Sequence, residues 1–310
     1  MPRFQEILVA IDRSDFARTV LDRAAQFARL LDADLRVLHV AEIPPVLPLP
    51  DESTLGRERW FDPGDLRSDA RESAIARVRE TSAGALDPEV VVRSGLPAEE
   101  ILLEATEQNV DLLVIGTHGR RGLSRLFLGS VAEKVCSRAP CPVLTVLHDP
   151  RAASDPEAPV GGESPPLRRI LVTTDLSERS LDAVPTALDL ATRSGGEVSV
   201  LAVLEDPVEH PEIDWRERAG ITPEELKAHC AEHTRAKITA LLADRGVDPV
   251  PRLEIGYGSP PATIVERLSA EGFDLVVLAS RGQGGWMGAI LGSVARSVVR
   301  AAPCPVLVLR

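Results

Sequence analysis

Basic charge is short in this 310-residue chain: 35 Lys and Arg stand against 47 Asp and Glu, a formal balance of -12. Phosphate backbones and anionic lipid are captured by clusters of Lys and Arg, so the deficit argues against nucleic acid and membrane surfaces as partners. Long apolar runs are lacking as well. No stretch approaches the roughly 20 residues of a membrane span, and no apolar run of signal-peptide length precedes the first strand at Ile7, so a cytoplasmic protein is expected. Cysteine is scarce: four residues do not make a disulfide framework. Cys141 and Cys304 stand in matching Pro-Cys-Pro settings at the head of a strand, where a small buried hydrophobe fits. Cys136 and Cys141 have a proline between them, and no His or second Cys pair follows at zinc spacing, so no thiolate metal site is expected. Neither a Walker loop nor a His-Glu-x-x-His motif occurs.

What the chain does carry, it carries twice. Asp111-Leu-Leu-Val-Ile-Gly-Thr-His-Gly119, Leu128-Gly-Ser-Val-Ala132 and Ala139-Pro-Cys-Pro-Val-Leu144 return as Asp274-Leu-Val-Val-Leu-Ala-Ser-Arg-Gly282, Leu291-Gly-Ser-Val-Ala295 and Ala302-Pro-Cys-Pro-Val-Leu307. The same offset maps Asp12 onto Asp175, Ser14 onto Ser177, Val40 onto Val203, Gly95 onto Gly258 and Pro97 onto Pro260. A repeat of about 145 residues is a whole domain with its own core, far longer than a solenoid unit. The domains are expected at 1–147 and 168–310. Between them, 148–167 is crowded with Pro, Gly, Ser and Asp and reads as a linker.

Strand and helix patterns alternate in the first half. Ile7–Ile11 is a short apolar run, as a strand buried on both faces should be, and Phe16–Leu31 has helical periodicity. Leu35–Val40 is a second strand, followed by a long Pro-rich connection and a polar helix at about Leu66–Ala83. A strand at Val90–Arg93, a helix at Pro97–Gln108, a strand at Leu112–Ile115, a glycine-rich loop, a helix at Ser130–Arg138 and a strand at Val143–Leu147 complete the half. The second half repeats this order from Ile170 to Leu309, with its first helix expected at Leu181–Arg193. Such alternation predicts an α/β fold: two tandem five-stranded, mostly parallel sheets with helices on both faces and right-handed crossovers.

Ligands of such sheets bind outside the carboxyl ends of the strands, where the strand order reverses. Asp12 and Asp175 follow the first strand of each half, Val40 and Val203 end the second, and Gly116-Thr-His-Gly119 ends the fourth, with Gly129-Ser130 opening the next helix. Gly119 and Gly129 allow positive φ and close approach of backbone N–H groups, and the helix start offers its positive dipole end and a serine hydroxyl: a phosphate cradle. Arg120, Arg121 and Arg125 add cations in the first half. The bland alternative is a tight turn with close helix packing; recurrence of the spacing in the same strand, loop and helix context favours phosphate.

Gly116-x2-Gly119-x9-Gly129-Ser130, with Asp12, Leu38-His-Val40 and Ala139-Pro-Cys-Pro-Val143, resembles the universal stress protein family in its tandem form, and the glycine pattern is that of its ATP-binding branch. The resemblance implies a Rossmann-like, adenine nucleotide alpha hydrolase-like fold that binds ATP, accompanied by Mg2+, at the strand ends. It would place Asp12 and the backbone at Val40 at the adenine and ribose end, Gly116 under the ribose, and Gly119, Gly129, Ser130 and Val131 at the phosphates, with His118 and Arg120 nearby. Asp175, Val203, Ala279, Arg281, Gly282, Gly292, Ser293 and Val294 are the corresponding positions of the second half. That half departs from the pattern in one glycine: Ala279 stands where Gly116 stands, and Gln283 and Gly284 replace Arg120 and Arg121. A methyl group that tolerates positive φ poorly would weaken the second site.

Other chemistry is less persuasive. His118 lacks an evident nucleophile to activate and its counterpart is Arg281, so phosphate contact or plain exposure is expected. Asp12 and Asp175 could instead cap the following helix, a service Ser14 and Ser177 also offer. His229, Cys230 and His233 share a helix whose charged neighbours suggest a solvated face, and Trp60 and Trp215 are expected to anchor the long second-strand connections. The whole reads as a cytoplasmic stress-linked sensor or regulator that binds adenine nucleotide, serves an unidentified regulatory protein and has little turnover. The rival classes are a slow ATPase or ATP-using transferase, which would need a second substrate site, and a scaffold without nucleotide. The last strands, Pro142–Leu147 and Pro305–Leu309, would be exposed sheet edges unless paired, so intramolecular pairing of the halves and a homodimer of chains are expected.

Overall fold

The computed structural model of the chain describes residues 4–41, 63–117, 128–147, 166–206, 220–280 and 291–310. They belong to two compact units, one comprising residues 3–124 with 128–164 and the other residues 165–310. The first unit runs β1 (Glu6–Ile11), α1 (Ala17–Leu31), β2 (Asp34–Ala41), α2 (Pro63–Arg79), a 3₁₀ turn (Ser82–Leu86), β3 (Glu89–Ser94), α3 (Pro97–Glu107), β4 (Leu112–Gly116), α4 (Ser130–Arg138) and β5 (Val143–Val146). Its strands are parallel and ordered β3-β2-β1-β4-β5.

The strand order follows from crossover handedness. Two right-handed crossovers carry the chain from β1 outward to β3 with α1 and α2 on one face; the return to β4 and β5 puts α3 and α4 on the other. Accordingly α1 packs on α2 and α3 on α4. Sheet strands covered on both faces must be apolar on both, and Ile7, Leu8, Val9, Leu112, Leu113 and Val114 are wholly buried. The repeated Asp that opens the fourth strand holds the far end of the sheet: Asp111 Oδ2 accepts the N–H groups of Gln5 (2.9 Å) and Glu6 (3.0 Å), fastening β4 to the start of β1.

The second unit repeats the plan as β6 (Arg169–Thr174), α5 (Glu178–Leu181), α6 (Ala183–Ser194), β7 (Glu197–Leu204), α7 (Pro223–Ala243), β8 (Arg252–Tyr257), α8 (Pro260–Glu271), β9 (Leu275–Ala279), α9 (Ser293–Ala301) and β10 (Val306–Leu309). Its order is β8-β7-β6-β9-β10, again parallel. Asp274 Oδ2 accepts from Arg168 and Arg169 as Asp111 does in the first unit.

Local chemistry places the helix ends. A capping box opens α7, with the Thr222 hydroxyl accepting from Glu225 N–H and the Glu225 carboxylate from Thr222 N–H, ahead of Pro223 in the first turn. The first helix of the second unit begins three residues before its expected start, because Ser177 caps a short turn, α5, by accepting from Ser180 N–H. Conversely, α2 stops at Arg79 and the chain tightens into the 3₁₀ turn, so the single helix expected to reach Ala83 is two pieces.

Candidate functional site

In the first unit the strand order reverses between β1 and β4, and the crevice at their carboxyl ends is the ligand position of sheets wound this way. Asp12 leaves β1 into it. Its Oδ1 accepts the Ser14 N–H at 2.9 Å and the Ser14 hydroxyl at 2.5 Å, an Asx turn that fixes the carboxylate. Asp175 makes the same turn with Ser177, at 3.1 and 2.5 Å. The capping alternative divides between the units. The N-cap of α1 is Phe16, with no side-chain cap, so Asp12 is not a helix cap; in the second unit the cap is Ser177, which Asp175 orients.

Across the crevice β4 ends at Gly116 and the buried Thr117. The Thr117 N–H donates to the Val146 carbonyl (2.9 Å), and the Thr117 carbonyl accepts from Gly129 N–H (2.8 Å). This second bond returns the start of α4 to the end of β4. The second unit reproduces it: Ser280 N–H donates to Leu309 and the Ser280 carbonyl accepts from Gly292 N–H, both at 2.8 Å. Neither α4 nor α9 receives a side-chain cap at its glycine N-cap.

These bonds change the expected role of the two glycines. Gly129 has φ -60° and ψ 145°, and Gly292 φ -59° and ψ 156°, which is extended backbone rather than the left-handed region. Their N–H groups are engaged by the carbonyls of Thr117 and Ser280, directly after the strands, so each glycine ties helix to strand instead of donating to an anion. The donors that remain for an anion are those of the first helical turn, at Ser130 and Val131 and at Ser293 and Val294, where an α-helix leaves its N–H groups without partners and carries its positive end.

Gly116 also departs from expectation. Its φ lies outside the left-handed region, and an added Cβ would lie 2.7 Å from Phe16 Cε1 and 3.1 Å from Val20 Cγ2 of α1. The space beside Gly116 is therefore taken by helix side chains. In the second unit the matching positions are Arg179 and Ala183, so the smaller Ala183 accompanies the larger Ala279. The Gly-to-Ala difference thus has a packing counterpart, and the positive φ that would have made it a defect in the second unit is absent from the first.

Val40 is buried near the end of β2, in register with Arg93, and Val203 is partly exposed in register with Gly256. Beside Asp12 lies a small cleft lined by Asp12, His39, Ser73 and Arg77, among others. His39 is buried, with Nδ1 3.1 Å from the Ile11 carbonyl. The Arg77 guanidinium, from the last turn of α2, donates to the carbonyls of Ser14 and, at 3.4 Å, Arg13. Neither residue is a predicted site residue. A lone histidine in the apolar run Leu35–Val40 was a legible signal; one arginine among several on a polar helix was not. Ala202 occupies the position of His39 in the second unit and Leu241 that of Arg77, because the buried stripe Ala70, Ala74 and Val78 of α2 matches Thr234, Ile238 and Leu242 of α7.

The rim differs between units too. Tyr257, at the end of β8, donates its hydroxyl to the Lys227 carbonyl, and the Lys227 ammonium lies 5.4 Å from the ring centroid and 2.7 Å from Asp206. Burial pushes the Tyr257 phenol above its usual value. At the end of β3 the corresponding link is Arg67 Nε to Ser94 Oγ, 3.0 Å.

His118, Gly119, Arg120, Arg121, Arg125, Arg281, Gly282, Gln283 and Gly284 lie outside the described residues, as do Trp60, Trp215 and the segment 148–165. Among the described residues no group of three or more His, Cys, Asp or Glu is placed to hold a metal ion, and no helix is long and apolar enough to cross a membrane. His229 and His233 are exposed, and three of the four cysteines, none of them in a disulfide, are buried.

A duplicated parallel α/β chain, with a carboxylate turn and an uncapped helix start flanking each switch point, is the class this geometry defines. The chain belongs to the universal stress protein family, whose family model it matches over residues 3–146 and again over 166–310. It is similar along its length to two Mycobacterium tuberculosis proteins. Universal stress protein Rv2005c is 30% identical over 314 residues, 100% of this chain and 98% of the relative. Universal stress protein Rv1996 is 29% identical over 318 residues, 98% and 94%. Among solved structures, a universal stress protein from Archaeoglobus fulgidus has a TM-score of 0.61 at 23% identity, with 98% of this chain and 97% of that chain covered. Protein PA1789 from Pseudomonas aeruginosa has a TM-score of 0.62 at 18% identity, with 99% and 92% covered. At these identities the likeness bears on the fold alone.

Proposed function

We propose that this universal stress protein is a nucleotide-responsive regulator in which each unit, as a separate domain, binds one adenine nucleotide, ATP with Mg2+, at its switch-point crevice. One recurrent arrangement carries the reading: a carboxylate held by an Asx turn after the first strand lies at the same end of the sheet as a helix start that no side chain caps, in both units. The residues suit the ligand's chemistry. The first-turn N–H groups at Ser130 and Val131, and at Ser293 and Val294, together with the serine hydroxyls, suit phosphate; the carboxylates of Asp12 and Asp175 suit donors of the base or ribose. Gly116 and Ala279, Val40 and Val203 complete the walls, and His118, Gly119, Arg120, Arg281 and Gly282 add loop contacts. Mg2+ would neutralise charge on the triphosphate. We assign a sensing role rather than turnover because phosphoryl transfer also requires an oriented nucleophile and stabilisation of the leaving charge, for which the sequence supplies no convincing base. A cytoplasmic regulatory partner would read the nucleotide state.

Two measurements test the reading. Mass spectrometry of small molecules released from purified, denatured protein should find adenine nucleotide near two equivalents per chain; its absence, together with no heat on titration with Mg-ATP, would remove the proposal. In calorimetry, Gly129→Val should lower the stoichiometry by one site. Valine adds a branched Cβ at the helix start and is unstrained in the extended backbone found there.

A further inference from the structure

We propose that Arg77 is a positioning residue for the first crevice: it locks the turn that presents Asp12 and thereby couples that carboxylate to α2, a coupling for which the matching position of α7 has no side-chain donor. The inference rests on the reading of the crevice as the nucleotide site. The two units build the same Asx turn on different supports. In the second, the turn carries its own hydroxyls: Thr174 Oγ1 accepts Leu176 N–H at 3.0 Å and lies 2.9 Å from Ser180 Oγ, which Ser177 Oγ reaches at 3.1 Å. The matching positions of the first unit are Ile11, Arg13, Ser14 and Ala17, so only the Ser14 hydroxyl survives. Its place is taken from outside. The Arg77 guanidinium spans the carbonyls of Arg13 and Ser14, the two residues that follow Asp12, while Leu241 at the matching position of the second unit, where Thr234, Ile238 and Leu242 form the buried stripe that Ala70, Ala74 and Val78 form in α2, has no side-chain donor to offer. A planar guanidinium with several donors in fixed directions is suited to hold two consecutive carbonyls at once.

The geometry makes a one-sided prediction. Losing the guanidinium leaves the Ser14 carbonyl with the Ala17 N–H alone, at 3.2 Å, and so loosens the Arg13–Ser14 backbone and the Ser14 N–H bond to Asp12, but touches nothing in the second unit. The test uses the full chain in two assays. Amide hydrogen exchange without ligand should be roughly tenfold faster at Ser14 in Arg77→Ala, as expected for loss of a hydrogen bond to a charged group. Photolabelling with Mg-8-azido-ATP, mapped by peptide mass spectrometry, should show label in first-half peptides reduced by a similar factor and label in second-half peptides unchanged. Arg77→Lys, which keeps charge and one donor but loses the fork, should recover part of both effects. Unchanged exchange at Ser14 would overturn the proposal, as would equal loss of label from both halves. If the unsubstituted protein takes no label in either half, the nucleotide reading fails, and the exchange data alone decide whether Arg77 holds the turn.

Discussion

At the scale of single residues, Gly116 shows how a difference that reads as a binding defect becomes a packing exchange. The position lies at the end of β4, beneath α1, and a methyl group there would press on Phe16 and Val20. Gly116→Ala should therefore destabilise the first unit by about 1–3 kcal/mol through overpacking, with no positive φ involved. Shortening the neighbour by Phe16→Leu in the same chain should return part of the loss. Urea denaturation followed by a probe in the first unit measures both. Full stability in the single variant would show that α1 moves aside freely, and no recovery in the double variant would place the strain elsewhere. Ala279→Gly has no such clash to relieve and should only loosen β9 slightly.

At the scale of elements, the seam between the sheet and the helix that follows its third strand carries a buried ion pair whose polarity is reversed between the units. In the first, Glu104 on α3 is only 3% exposed; Arg93 Nε of β3 donates to it at 2.6 Å, and Arg36 of β2 lies 3.7 Å away. In the second, the helix supplies the cation, Arg267 on α8, and the strand the anion, Glu254 on β8, 3.3 Å apart. The pairs are not equally well made. Both carboxylate oxygens of Glu254 are buried without hydrogen-bond geometry, although Arg252 and Arg267 stand within ion-pair distance, and Arg267 directs its better bond to Glu271 at 2.9 Å. That bond, ahead of the other influences, holds the Glu271 carboxyl below the usual carboxylate range. A buried carboxylate with charge but no hydrogen bond is replaceable by an apolar group, whereas one that is bonded is not. Glu254→Leu should leave stability unchanged or raise it, and Glu104→Leu should cost about 2 kcal/mol. Matched denaturation curves decide between them, and equal losses at the two sites would contradict the distinction. Periodicity made the elements around this seam legible, because each strand is apolar and each helix alternates on its own period. The pairing was not legible: Glu104 and Glu254 look like ordinary surface charges until the sheet places them. The same holds at the site. Asp12, Gly129 and Ser130 could be read from their spacing after strands, but the Thr117 carbonyl that takes up the Gly129 N–H, and the reach of Arg77 across from α2, exist only once the chain has folded.

At the scale of the whole molecule, the duplication has preserved backbone chemistry more closely than side-chain chemistry. The bonds from Gly129 to Thr117 and from Gly292 to Ser280, and the Asp111 and Asp274 clamps at the opposite end of the sheet, recur in both units at nearly the same lengths. The cleft residues His39 and Arg77, by contrast, become Ala202 and Leu241. Two copies that each keep a complete five-strand order and a largely buried central pair of strands have what an independent domain needs, and at about 145 residues each is within the common domain size. Residues 1–150 and 165–310, expressed separately, should therefore each give the circular dichroism of an α/β protein and a cooperative urea transition. The first fragment should also lose slope or midpoint on Glu104→Leu, while the second should be indifferent to Glu254→Leu, as in the full chain. A fragment that is unfolded alone would show that its core is completed by the other half, and the two sites would then have to be treated as parts of one folding unit rather than as duplicated domains.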